Sequence, residues 1–162
     1  MNTQDVALAG EFFTLAQLAL RGYIGTLTLR HTKQVDILVS NPKTGKMFRV
    51  EVKTASKGPY KMKMFGENYE WIMDEKHEGI SDPDLYYCFV LLRSPNELPK
   101  FFIVPSEEVA KYCKREYDYW VKLPRKKEVK KTPMRTFRIG LNKESHGLSI
   151  EKYENRWDFF DK

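Results

Sequence analysis

The chain has 162 residues, about the size at which one compact domain with one core is expected. Apolar side chains make up 41% of it and charged ones 31%, a mixture too apolar and too mixed in sign for a disordered chain. With 28 Lys and Arg against 22 Asp and Glu the net charge is +6, which favours a polyanionic partner without establishing one.

Residues 4–21 place Val6, Leu8, Phe12, Leu15, Ala19 and other apolar side chains at helical spacing, with Asn2 or Thr3 as cap and Gly22 as the stop. Asp5 and Glu11 in this stretch are unlike the basic start of a signal peptide, and no apolar run approaches the roughly 20 residues that span a bilayer. A cytoplasmic protein with no membrane partner is expected. "GTLTLR" (25–30) alternates as a half-buried strand with Leu27 and Leu29 on one side. "VDILV" and "MFRVEVKT" are two further strands, and "SNPKTGK" between them is turn chemistry with Gly45 at the positive-φ position.

Beyond Gly58 the stretch 59–79 is rich in aromatics, Met and Lys without clean periodicity, and reads as a short strand or an irregular ligand-contacting segment. "DLYYCFVLL" (84–92) and "KFFIVP" (100–105) are buried strands joined by a turn. Residues 106–120 form a helix with Ser106 at the N-cap, and "TFRIGL" (136–141) is another strand. The aromatic C-terminus, "YENRWDFFDK", is expected to dock on the body. Cys88 and Cys113 have no Cys or His at zinc-like spacing and read as reduced thiols.

The hairpin carries the chemistry. If residue 41 pairs with 46, Asp36 falls opposite Glu51, and cross-strand side chains on one face lie about 4.5–5.5 Å apart at Cβ. Period two then places Lys53 on the face of Glu51, with Val50 and Val52 on the other. Two carboxylates with a backbone carbonyl and waters suit Mg²⁺ or Mn²⁺. Such an ion activates water toward a phosphodiester, and a lysine beside it orients that water or holds a phosphate oxygen.

An acidic helix with Glu11, a strand, Asp36 opening the next strand and Glu51-Val52-Lys53 inside a third resembles the PD-(D/E)xK nuclease superfamily. The resemblance covers residues 4–58 and departs at the Pro, which is Val35 here. It implies an α/β fold with a restriction endonuclease-like αβββαβ core, a central mixed sheet flanked by helices. It further implies Asp36 and Glu51 as metal ligands, Lys53 as the catalytic lysine and Glu11 as an additional acid of the site. The function implied is a metal-dependent DNA endonuclease; the alternative is a nucleic-acid-binding module of the same fold that has lost cleavage. One domain spans 1–162, with residues from about 121 as its elaboration. Cutting both strands of a duplex needs two sites, so a homodimer or higher homo-oligomer is expected.

Two other acid motifs lack this context. Pro83-Asp84 is followed by no acid-x-Lys within a strand, and Asp74-Glu75-Lys76 lies in a polar stretch. Candidates for backbone contact are Lys57, Lys61 and Lys63 after the hairpin, and the basic stretch with Arg125, Lys126, Lys127, Lys130, Lys131, Arg135 and Arg138. That stretch reads equally as a solvated face. His31, His77 and His146 have no ligand spacing and read as surface or loop residues; Tyr69 and Trp71 read as core, or as base-stacking groups.

Overall fold

The computed structural model describes residues 2–29, 35–124 and 130–162. Helix α1 (Thr3–Leu20) starts where Asn2 Oδ1 accepts the Gln4 N–H at 3.1 Å, satisfying one of the donors that a helix N-terminus leaves unpaired. Its buried residues are Val6, Gly10, Thr14 and Leu18, each four apart, so small side chains make the closest approach. A Cβ on Gly10 would stand 1.9 Å from Thr54 Oγ1. Gly10→Ala therefore loses more to overpacking, about 1–3 kcal/mol, than the ~1 kcal/mol it gains in helix propensity. A lowered urea midpoint is expected, and a raised one would refute this close approach.

Strands β1 (Ile24–Leu27), β2 (Ile37–Ser40) and β3 (Met47–Ala55) form an antiparallel meander. The register is the expected one, with Ile37 opposite Val50 and Ser40 opposite Met47. The Asn41 N–H closes the turn on Lys46 O at 2.9 Å, and Gly45 takes φ 72°, where a Cβ would be strained. β1 is shorter than its alternation suggested: it ends at Leu27, and Leu29, expected on the buried side, is 88% exposed.

β3 pairs in parallel with β6 (Leu85–Leu91), which pairs antiparallel with β7 (Lys100–Pro105), giving the order β1-β2-β3-β6-β7. This is the central mixed sheet, flanked by helices, of the expected α/β fold. A parallel pair needs a long crossover, usually a helix. Here the crossover instead builds β4 (Tyr60–Met62), β5 (Gly66–Asp74) and a 3₁₀ segment, Glu75–Gly79. β8 (Met134–Gly140) and β9 (Leu148–Ser149) complete a second sheet in the order β4-β5-β8-β9.

Residues 59–79 are thus mostly strand, and β5 alternates Tyr69, Trp71 and Met73 into the core. Trp71 Nε1 donates to Val90 O at 3.0 Å, which removes it and its neighbour Tyr69 from any base-stacking role. Helix α2 (Ser106–Lys122) includes Ser106 as its first residue rather than as its cap. The Ser106 hydroxyl is taken up by Asp82, donating to its carbonyl at 2.8 Å and accepting its N–H at 2.9 Å.

One face of the first sheet packs Val50, Val52, Cys88 and Val90 against Leu18 of α1 and the C-terminal Trp157 and Phe160. The other packs Tyr87, Phe89 and Leu91 against Trp71, Phe137 and, from α2, Val109, Tyr112 and Cys113. The C-terminus docks as expected after the short helix α3 (Ile150–Tyr153), and Asn41 Nδ2 ties the hairpin turn to Phe160 O at 2.8 Å. Cys88 and Cys113 are buried, unpaired thiols. Among the described residues no helix is long and apolar enough to cross a membrane.

Candidate active site

Strand period two governs the site. Val50 and Val52 of β3 point toward α1, so Glu51 and Lys53 point to the opposite face, at the edge of the core that holds Tyr87 and Phe89. Lys53 Nζ sits 2.5 Å from Glu51 Oε1. Glu51 is only 6% exposed, and its second oxygen, Oε2, is buried with no hydrogen-bond partner. Asp36 lies just before β2 and leaves the ladder: its N–H donates to Val50 O at 2.9 Å, one residue out of register. Its carboxylate turns toward β3, where Oδ2 accepts the Val52 N–H at 2.7 Å.

Burial pushes the Asp36 carboxyl above the ordinary Asp range; the Val52 N–H and Lys53 oppose this, and the charge of Glu51 adds to it. The three charges therefore act on one another, although Asp36 leaves the ladder and does not take the cross-strand position expected opposite Glu51. A buried carboxylate oxygen without a donor is costly. The charge of Glu51 is felt at Asp36, and two carboxylates are donors of the type a hard divalent cation takes. Among the described residues no three or more His, Cys, Asp and Glu side chains gather as a cage. An ion held by these two carboxylates would have to complete its shell with a carbonyl and waters, as Mg²⁺ usually does.

Tyr87 stands opposite Glu51 in the parallel ladder, fully buried, with its hydroxyl 2.7 Å from His77 Nδ1. His77, expected on the surface, is 2% exposed in the 3₁₀ segment, because the long crossover folds back over β6. Burial lowers its pKa to about 4, helped by Lys53 and opposed by Glu51, so the imidazole is neutral at pH 7. Nothing in local sequence marked this histidine; its partner Tyr87 comes from another strand. Because its pKa in the unfolded chain is near 6.5, its contribution to stability is complete above pH 6.5 and is lost as pH falls toward 4. His77→Gln should flatten the acid side of the stability-pH profile over that window. An unchanged slope would show that the imidazole titrates normally.

The architecture can be set beside known proteins at this point. No protein-family model and no curated protein matches the chain. Among solved structures, a bacterial homing endonuclease, I-Ssp6803I, superposes with a TM-score of 0.52 at 12% identity, covering 97% of this chain and 90% of that one. The chain shares its fold with a nuclease. At that identity the likeness speaks for the fold.

The other expected site residues divide. Glu11 is half-buried on α1, beside the Gly10 that rests on Thr54, and the same helix reaches the cleft beyond Lys53 through Thr3. Past Lys53, β3 leads into a cleft of about 380 Å³ bordered by Lys53, Ser56, Lys57, Tyr60 and Glu70, with Thr3 from α1. Lys57 thus borders the same cleft as Lys53. Lys61, Lys63, Lys130 and Lys131 are exposed. Arg125, Lys126 and Lys127 lie outside the described residues, as does His31.

Arg135 does not belong to a phosphate-contacting patch. It is 6% exposed, its Nε is paired with Glu78, its Nη1 donates to Thr132 O at 2.8 Å, and its guanidinium lies 3.5 Å from the centroid of the Tyr117 ring. Three positions on, Arg138 is buried between Glu70 and Glu116. On β8 these arginines neutralise acids inside the protein; the charge run in the sequence conceals that two of its seven cations, Arg135 and Arg138, are already paired through tertiary contacts.

Proposed function

We propose that this chain is a divalent-metal-dependent DNA endonuclease of the PD-(D/E)xK type. The observation that carries the reading is the Glu51 carboxylate, one oxygen held by Lys53 at 2.5 Å and the other buried without a partner next to Asp36. The nuclease fold of the neighbouring structure agrees with it. Asp36 and Glu51 would hold Mg²⁺ or Mn²⁺, which supplies Lewis-acid charge at a phosphodiester and lowers the pKa of a bound water.

The chain's own groups do the rest. The Val52 N–H fixes the Asp36 carboxylate toward β3, and Glu51 fixes the Lys53 ammonium at the mouth of the cleft, where it can hold a non-bridging phosphate oxygen or orient water. Tyr87 and His77 wall the buried side and carry no charge that competes with the metal. Lys57 in the cleft, with exposed Lys61, Lys63, Lys130 and Lys131, contributes to holding the DNA backbone. A homodimer or larger homo-oligomer supplies the second site for a double-strand cut.

The test is incubation with supercoiled, linear and branched DNA in Mg²⁺, Mn²⁺ or EDTA, with Asp36→Ala and Lys53→Ala in parallel. Cleavage should need the metal and fall at least a hundredfold in each variant, about 2.7 kcal/mol of barrier. Cleavage undiminished in both variants would remove the assigned site. Metal-independent binding without cutting by the wild type would favour the non-cleaving module.

A further inference from the structure

Between α2 and the turn that joins β4 to β5 lies a second concavity, of about 230 Å³, bordered by Phe65, Tyr112, Arg115, Glu116, Tyr119 and His146. This is below the roughly 300–1,000 Å³ of pockets for drug-sized ligands, and suits one planar ring system. Its sides are aromatic. Tyr119 and His146 stack with centroids 4.4 Å apart at 25°, and Phe65 meets both edge-on, at 5.7 and 6.1 Å. Phe65 and Tyr112 are buried, Tyr119 is half-buried and His146 is exposed, so the floor is fixed and one wall is open to solvent. Glu116 at the base is paired with Arg138, which it shares with Glu70, so its charge is turned away from the pocket mouth only in part.

The rim is basic. Arg115 borders both this pocket and an adjoining groove along α2, which also carries Lys111, Lys114 and Lys122, with Asp118 among them. Lys111 is paired with Glu107 at 2.5 Å, an exposed pair that salt or a phosphate readily displaces. Aromatic walls that accept a base, bordered by cations that follow a phosphate backbone, are the two elements of single-strand recognition.

We propose that this pocket receives one unpaired nucleobase of a single-stranded DNA segment, with Arg115 and the lysines of α2 on the flanking phosphates. A base stacked within a duplex cannot enter it, so the surface selects unpaired strands: a flap, a gap or a frayed end. The ligand class rests on the nuclease reading, but the pocket and its charges do not involve Asp36, Glu51 or Lys53.

The experiment is fluorescence anisotropy in EDTA with a labelled oligothymidylate and with a duplex of mixed sequence, using the wild type and Tyr119→Ala, His146→Ala, Arg115→Ala and Tyr119→Phe. Tyr119→Ala and His146→Ala should weaken single-strand binding about tenfold while leaving duplex binding within twofold, and Tyr119→Phe should retain affinity. Arg115→Ala should lower the slope of log affinity against log salt by about 0.7 for the single strand. Melting curves guard against loss of fold, and His146, being exposed, provides the readout if Tyr119→Ala loosens α2. Single-strand affinity unaltered in both alanine variants, or an equal loss for duplex and single strand, overturns the proposal. Because the assay contains no metal, a wild type that never cleaves DNA leaves it standing, and active cleavage with unaltered affinities overturns it alone.

Discussion

Glu51→Gln should abolish cleavage, by about a thousandfold or more, while the variant melts at or above the wild-type temperature. The two outcomes have one cause. Glu51 is buried with one oxygen unsatisfied, so its charge is an expense to the fold that a bound cation would offset. Glutamine keeps the shape and leaves an oxygen for Lys53, but removes the charge that would hold the metal. Lewis-acid stabilisation of a phosphoryl transfer is worth several kcal/mol; losing about 4 of them corresponds to about three decades in rate. With the Glu51 charge gone, one of the causes raising the Asp36 carboxyl also disappears, and that group should titrate at lower pH. Single-turnover cleavage at saturating Mn²⁺ and a melting curve read both effects. A variant that cleaves within tenfold of wild type would show that Glu51 is a structural partner of Lys53 and holds no metal. One that loses both activity and fold would show that the buried ion pair is needed for packing.

The hairpin was legible because three local signals agree on it: alternation on both strands, a turn with Asn-Pro and Gly45, and a register fixed by turn length. Pairing from Ile37–Val50 to Ser40–Met47 follows that register. What local pattern could not convey is the departure at Asp36, since the bond from the Val52 N–H to its carboxylate depends on the chain leaving the ladder. The second sheet was illegible for a different reason. β4 is exposed along its length, so it shows no alternation, and β5 carries Glu70 opposite Arg138, a pairing between residues far apart in sequence. Charges that look solvated in a window of ten residues are buried once β8 arrives beside them. His77 follows the same logic: its burial depends on Tyr87 and on the return of the crossover, neither of which a spacing rule sees.

Arg138 carries the largest expected effect on stability. It is 5% exposed, with Nε 2.9 Å from Glu70 Oε1, Nη1 on Glu116 and its guanidinium 3.9 Å from the centroid of the Phe65 ring. It thereby joins β5, β8 and α2 at one point. Arg138→Met should cost about 3–5 kcal/mol, because it leaves two buried carboxylates facing each other without their cation; against a domain stability of about 5–15 kcal/mol that is enough to unfold much of the population. Burial already raises the Glu116 carboxyl, and Arg138 is the largest influence holding it down, so in the variant it rises further. A carboxyl whose folded pKa is raised adds stability at low pH that is lost as pH climbs through that pKa. The deficit relative to wild type should therefore be smallest at acid pH and widest at neutral pH. Replacing the whole triad, Arg138→Met with Glu70→Leu and Glu116→Leu, should restore most of the loss, since well-packed apolar groups commonly match a buried ionic network. Urea titrations of the single and triple variants at pH 5 and pH 7.5 separate the possibilities. A single variant within about 1 kcal/mol of wild type at both pH values would mean that Glu70 and Glu116 reach water without Arg138, and that the three elements are held by Phe137 and its aromatic neighbours alone.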